Sequence, residues 1–104
     1  MTMPTQVVLR VLLEDPTQQR YGLELSELSG LPSGTLHPIL ARLQRVGWVD
    51  SSWEDVDPTR AGRPRRRYYR LTKDGVERAQ TALAEATTSS RAVRRLRPDL
   101  ARGV

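Results

Sequence analysis

A mainly α chain with a small β-hairpin is the fold class that the sequence predicts, and three observations predict it. Apolar residues recur at helical spacing in three segments before residue 47 and again after residue 72. Two short runs with a period of two lie between, at residues 49–53 and 66–71. A stretch holding Asp57, Pro58, Gly62 and Pro64 separates those runs, as a hairpin loop would.

The 104 residues fit one domain, and a composition of 38% hydrophobic and 28% charged residues allows one modest core. There is no cysteine, so a disulfide framework, a thiol nucleophile and a thiolate metal site are all excluded. His37, the single histidine, cannot build a zinc site without several carboxylates. No Ser, Cys or carboxylate stands at motif spacing from it for acyl transfer, so neither an enzyme nor a cofactor is expected. No apolar run approaches the roughly 20 residues of a membrane span, and the first residues lack the basic start and apolar stretch of a signal peptide. The expected location is cytoplasmic.

The first helix begins at Pro4, which suits a first turn, and runs through Val7, Val8, Leu9, Val11, Leu12 and Leu13 before Asp15 and Pro16 end it. It is apolar nearly all round, which predicts burial on more than one side, within its own core or against a second subunit. Residues 21–29 form a short second helix, with Leu25 and Leu28 three apart, Leu31 just beyond and Gly30 as the C-terminal stop. Ser33 is a good N-cap for a third helix whose Leu36, Leu40 and Leu43 face inward, and Gly47 closes it. Pro38 falls in the second turn if Ser33 is the cap and in the tolerated first turn if Thr35 is; the sequence leaves both open. The surface away from the leucines presents Thr35, His37, Pro38, Ala41, Arg42 and Arg45.

Val49, Ser51 and Trp53 alternate with Asp50 and Ser52, and residues 66–71 alternate likewise, with Tyr68 and Tyr69 on opposite faces. One tyrosine is expected in the core and the other at the surface. Trp48 and Trp53 are both expected to pack against the core. The long basic tip between the strands is a wing. Thr72 then caps a last helix, with Leu71 and Val76 spaced as a hydrophobic staple and Asp74 favourable to the helix dipole. Val76, Ala79, Leu83, Ala86, Ser90 and Val93 follow at heptad spacing, a seam with small residues where a strong coiled coil has leucines. Thr87 to Ser90 is a small polar stretch that reads as a hinge, and residues 98–104 read as a flexible tail.

Charge adds a function class. The net +5 comes from 17 Lys or Arg against 12 Asp or Glu, yet residues 1–49 sum to zero. Residues 50–59 hold Asp50, Glu54, Asp55 and Asp57 with no base; residues 60–73 hold Arg60, Arg63, Arg65, Arg66, Arg67, Arg70 and Lys73 with no acid. A solvated face mixes signs, so this segregation reads as an anion-binding strip. Three helices, the third with a polar outer face, then a basic hairpin and a further helix, make the order of a winged helix-turn-helix. The helix would enter the major groove and the wing would engage phosphates or the minor groove.

The residues Ser33-Gly34-Thr35-Leu36-His37-Pro38-Ile39-Leu40-Ala41-Arg42-Leu43, then Gly47-Trp48-Val49, Trp53-Glu54, and Gly62-Arg63-Pro64-Arg65-Arg66-Arg67-Tyr68-Tyr69-Arg70-Leu71-Thr72 with Gly75, resemble the signature of PadR-like transcriptional regulators. The resemblance runs over roughly residues 5 to 80. It implies a winged helix that binds double-stranded DNA, a homodimer built through terminal helices, and repression of nearby promoters. By motif position it places Ser33, Thr35, His37, Pro38 and Arg42 at the recognition helix and Arg63, Arg65 and Arg66 at the wing. The family more often has Tyr where this chain has His37. Some members bind planar effectors at an aromatic pore; here no aromatic residue follows Thr72, so a stacking site is not expected there, Trp48 and Trp53 stay open as stacking residues, and a small-molecule effector is possible but not indicated.

The resulting organisation is a DNA-binding winged helix over residues 1–73, a dimerisation helix over 74–97 and the tail. Val7, Val11, Leu83, Ala86 and Val93 are assigned to the dimer. The alternative is a winged-helix protein-interaction or architectural adaptor without promoter choice. RNA binding ranks lower, because the chain lacks the aromatic-rich sheet motif that stacks single-stranded bases.

Overall fold

In a computed structural model, which describes the backbone of residues 1–96 and the side chains of residues 1–87, the described residues form five helices and three strands. Thr2 caps α1 (Met3–Glu14), its hydroxyl accepting the Thr5 N–H at 3.4 Å, with Pro4 in the first turn. Val8, Leu9, Val11 and Leu12 are buried, Val7 and Leu13 are half-buried, and Met3 and Arg10 are exposed. The helix therefore buries one broad stripe, not its whole circumference.

A two-residue strand, β1 (Arg20–Tyr21), precedes α2 (Gly22–Ser29) and makes the sheet three-stranded. So short a strand has no periodicity to read, and the sequence pattern assigned Tyr21 to the helix. Tyr21 instead stands before the first turn of α2, its N–H donating to Glu24 Oε1 at 3.2 Å. Gly30 ends α2 in the left-handed region, φ 73°, donating its N–H to the Ser26 carbonyl at 2.9 Å. Leu25 is buried as its spacing implied, but Leu28 is exposed.

In α3 (Ser33–Arg45) the cap is Pro32, whose carbonyl accepts the Thr35 and Leu36 N–H groups, both at 3.0 Å. Ser33 is thus the first helical residue and not the cap, which puts Pro38 in the second turn. Leu36, Ile39, Leu40 and Leu43 are buried. At the far end the Gly47 N–H reaches Gln44 O at 3.1 Å and the Trp48 N–H reaches Leu43 O at 2.9 Å, with Gly47 at φ 81°. This is a Schellman ending, and it delivers the chain directly into β2 (Val49–Trp53).

A single turn of helix, α4 (Pro58–Ala61), lies inside the wing; Asp57 caps it by accepting the Thr59 N–H at 2.9 Å. The sequence pattern showed only turn residues there. β3 (Arg67–Leu71) is the central strand, paired antiparallel with β1 and β2. The register sets Val49 opposite Leu71, Ser51 opposite Tyr69 and Trp53 opposite Arg67, so these six share one face of the sheet. Val49, Leu71 and Tyr69 lie in the core; Tyr68, on the other face, is half-buried. The core stops before the strand does. Trp48 packs against it as expected, whereas Trp53 lies beyond its edge and is 61% exposed.

Thr72 caps α5 (Lys73–Leu96): its hydroxyl accepts the Gly75 N–H at 2.8 Å and donates to the Gly47 carbonyl at 2.7 Å. Its backbone N–H donates to the Trp48 carbonyl at 2.9 Å. Ala79 is fully buried, and Val76 and Leu83 pack against the same core. The first half of the heptad seam therefore covers the chain's own core. The Val93 side chain and the 98–104 tail lie outside the described residues. Among the described residues no helix is long and apolar enough to cross a membrane.

Of the glycines, Gly75 has the least room: a Cβ there would sit 1.9 Å from the Trp48 carbonyl oxygen and 2.7 Å from its carbon. In an open helix Gly→Ala stabilises by about 1 kcal/mol. Here the neighbour is backbone held by α3 and β2 and cannot yield. Gly75→Ala is expected to destabilise the fold by about 3 kcal/mol, read as a lower denaturant midpoint at unchanged slope. A midpoint equal to or above the parent's would show that the contact is not fixed.

Candidate nucleic-acid interface

The outward face of α3 is open. Ser33, Thr35, His37, Pro38 and Arg42 are all exposed, as are Ala41 and Arg45. Their inward neighbours form the core, so the helix presents a polar and basic strip on a rigid support. Pro38 has no N–H to give to the Gly34 carbonyl, which leaves an additional acceptor near the helix start. His37 leans against α2: a Cβ on Gly22 would lie 3.2 Å from its Cε1. Arg42 and Arg45 occupy the last turn, where their charge complements the helix dipole.

The wing is organised by one carboxylate. Glu54, at the end of β2, receives Arg63 Nη1 at 2.6 Å on Oε1 and Arg63 Nη2 at 2.9 Å on Oε2. Oε1 also accepts the Arg66 backbone N–H at 3.3 Å, and Oε2 the Tyr68 hydroxyl at 3.3 Å. The Glu54 N–H in turn donates to Arg66 O at 2.8 Å. The paired Arg63 guanidinium, against the opposing effect of burial, holds the Glu54 carboxyl well below its usual range, at about 2. Arg63 is raised by the same bond.

The sequence-assigned wing arginines therefore divide. Arg63 is engaged internally. Arg65 is exposed, with only its Nε committed, to the Val56 carbonyl at 2.9 Å. Arg66 stands over the Tyr21 ring, its guanidinium carbon 4.3 Å from the centroid, and Tyr21 meets Tyr68 edge-on at 5.9 Å. Arg60 is exposed and 3.9 Å from Asp57, a distance that binds it weakly.

Sequence reasoning missed several residues. Arg67 donates to Ser51 Oγ through Nε at 3.1 Å and Nη2 at 2.7 Å, and stands 5.2 Å from the Trp53 ring centroid. Gln44 of α3 donates to the same Ser51 hydroxyl at 2.9 Å. The only signal in the sequence was the alternation that places Ser51 and Trp53 on one face; their partners come from the register. The assigned dimer residues also sit differently: Val11 is buried, Leu83 packs on the chain's own core, and Val7 and Ala86 are half-buried. A groove of about 490 Å³ runs between Trp48 and α5, lined by Glu77, Arg78, Thr81, Ala82 and Glu85. Its lining combines one aromatic ring, Trp48, with the charged side chains of Glu77, Arg78 and Glu85. Among the described residues there is no cluster of His, Cys, Asp or Glu suited to a metal ion.

The model of the family described as Transcriptional regulator PadR-like family matches residues 8–81. Among solved structures, a PadR family transcriptional regulator from Eggerthella lenta DSM 2243 is similar at 26% identity and a TM-score of 0.69, over 88% of this chain and 80% of that one. A PadR-like transcriptional regulator from Bacillus cereus strain ATCC 14579 shares the fold at 21% identity and a TM-score of 0.64, over 88% of each chain. No curated protein matches the chain significantly.

The Glu54 pairing has a pH signature. Its folded-state value of about 2 lies below the ordinary value of 4.5, so the stabilisation it confers is complete above about pH 4.5 and is lost as the pH falls towards about 2. Thermal unfolding across that window is expected to show a loss of stability that is smaller in Glu54→Gln than in the parent. An unchanged acid limb in Glu54→Gln would place the titration elsewhere.

Proposed function

The chain belongs to the transcriptional regulator PadR-like family, and from that membership we propose that it is a dimeric repressor that reads a specific double-stranded DNA sequence. The observation that carries this is the exposed polar and basic face of α3, fastened to a basic wing through Gln44 and Ser51. In this reading Thr35, His37, Arg42 and Ser33 address the major groove. Arg residues there pair with guanine edges and the hydroxyls with phosphates or bases. Pro38 fills the same face without donating.

At the wing, Arg65 and Arg66 neutralise phosphates, and Arg63 acts through Glu54 by holding the loop in shape. Repression then needs nothing beyond occupancy of a promoter. The DNA-binding unit spans residues 1–73, with the rest of α5 serving the dimer. Because Val11 and Leu83 are already used within the chain, contact with a second copy falls to Val7, Ala86 and the residues that continue the heptad spacing, including Val93.

Selection from a random duplex pool is expected to recover an inverted repeat with half-site centres about 10 bp, or a multiple of it, apart. Arg42→Ala should recover a more degenerate repeat, and neutralising about six phosphates gives a log-log salt slope near −5. Equal affinity for all duplexes, or a flat salt response, would favour the adaptor reading over this one.

Sedimentation is expected to give twice the chain mass for the wild type and a single chain mass for Ala86→Asp, whose added charge falls beyond the last residue packed on the core. A wild-type monomer at micromolar concentration would refute the dimer.

A further inference from the structure

The wing carries a tryptophan that the core does not use. Trp53 is 61% exposed at the outer end of β2. Scattered exposed apolar residues are ordinary and need no function. This one is held in place. Arg67 lies 5.2 Å from the ring centroid, and its guanidinium is pinned by its two bonds to Ser51 Oγ. Since Gln44 bonds the same hydroxyl, the ring is positioned relative to α3 as well as to the wing. Together with Pro58, Pro64 and Arg65 it lines an open cavity of about 470 Å³ at the wing tip.

We propose that this cavity seats a deoxyribose and its adjoining phosphate from the bound duplex, with Trp53 and the two prolines against the sugar and Arg65 on the phosphate. The inference rests on the DNA-binding reading above and names a contact within it. Charge complementarity selects the occupant. Of the three carboxylates between the strands, Glu54 is paired with Arg63 and Asp57 caps α4, while Asp55 is exposed; against them the same stretch holds Arg60, Arg63, Arg65 and Arg66, so the wing tip keeps a positive balance. Arg65 keeps its two terminal nitrogens, because only Nε is bonded, to Val56. A wholly apolar peptide would leave that guanidinium unmatched against the cavity wall. A sugar with its phosphate is apolar on its carbon face and anionic one bond away, which suits a lining of one aromatic ring, two prolines and one guanidinium. Such a contact is blind to base identity, so it adds affinity without adding to the code that α3 reads.

The test uses the duplexes recovered by random-pool selection. Trp53→Ala is expected to weaken binding about tenfold and Trp53→Phe about threefold, because the smaller ring keeps part of the apolar contact. The loss should be the same for all recovered sequences and should leave the salt slope unchanged, whereas Arg65→Ala should make the slope shallower by about one. In a Trp48→Phe background, the fluorescence of Trp53 should become protected from acrylamide when the duplex binds. If duplexes are recovered but Trp53→Ala binds them within twofold of the parent, or Trp53 stays as quenchable as in the free protein, this inference falls while the DNA-binding reading stands. If the wild type recovers no duplex at all, both fall together.

Discussion

The Trp48 carbonyl is the point at which three elements are joined. The Schellman ending of α3 aims it, the Thr72 N–H closes on it at 2.9 Å, and the start of α5 lies so near that residue 75 has no room for a side chain. The Thr72 hydroxyl adds a second tie, to the Gly47 carbonyl, while accepting from Gly75. The end of α3 closes its own carbonyls through the Val46, Gly47 and Trp48 N–H groups, and Thr72 ties the start of α5 to the two carbonyls that follow, those of Gly47 and Trp48. Everything that reaches outward, the face of α3 and the two strands of the wing, takes its direction from this junction.

Beyond the junction the apolar core runs out, and a different kind of force takes over. The buried residues come from α1, α2, α3, the inner ends of β2 and β3 and the first turns of α5. None comes from residues 50–68. The loop within that span, residues 54–66, loses substantial conformational entropy on ordering. What opposes that loss is polar: Glu54 collects four donors from Arg63, Arg66 and Tyr68, and the contacts of Arg66 over Tyr21 and of Tyr21 edge-on to Tyr68 tie the wing to β1. The acidic run before the basic run is therefore part of the wing's construction. It shapes the loop at the cost of one arginine, Arg63, and leaves Arg65 to solvent.

How much of this was legible follows from the range of each interaction. Helices with a leucine stripe, the left-handed glycines at 30 and 47, the Thr72 cap and the division of Tyr68 from Tyr69 are local patterns, and they stand where the sequence put them. The strand at 20–21 is too short to have a period, and α4 is a single turn set by one Asp cap. Ser33 was a better cap by residue type than Pro32, but the carbonyl that closes the first turn belongs to Pro32. Trp53 was mistaken for core because alternation tells which face a side chain takes and not how far the core extends along it. The Glu54 clamp, the Gln44–Ser51–Arg67 chain and the intramolecular use of Leu83 depend on register and crossing geometry, which no single segment encodes.

The linkage between α3 and the wing bears on how a small domain can be selective. Domain stabilities are only about 5–15 kcal/mol, and a core this lean leaves little surplus for holding two distant elements in fixed relation. The Gln44–Ser51–Arg67 chain does so with short polar bonds placed outside the core, so that a shift of the wing would cost hydrogen bonds and not apolar burial. A phosphate contact made by a wing that could swing would carry no positional information. On the proposed reading, one made by a wing referenced to α3 would fix where along the groove the helix side chains fall, and so would convert sequence-blind contacts into register for the residues proposed to tell one base from another.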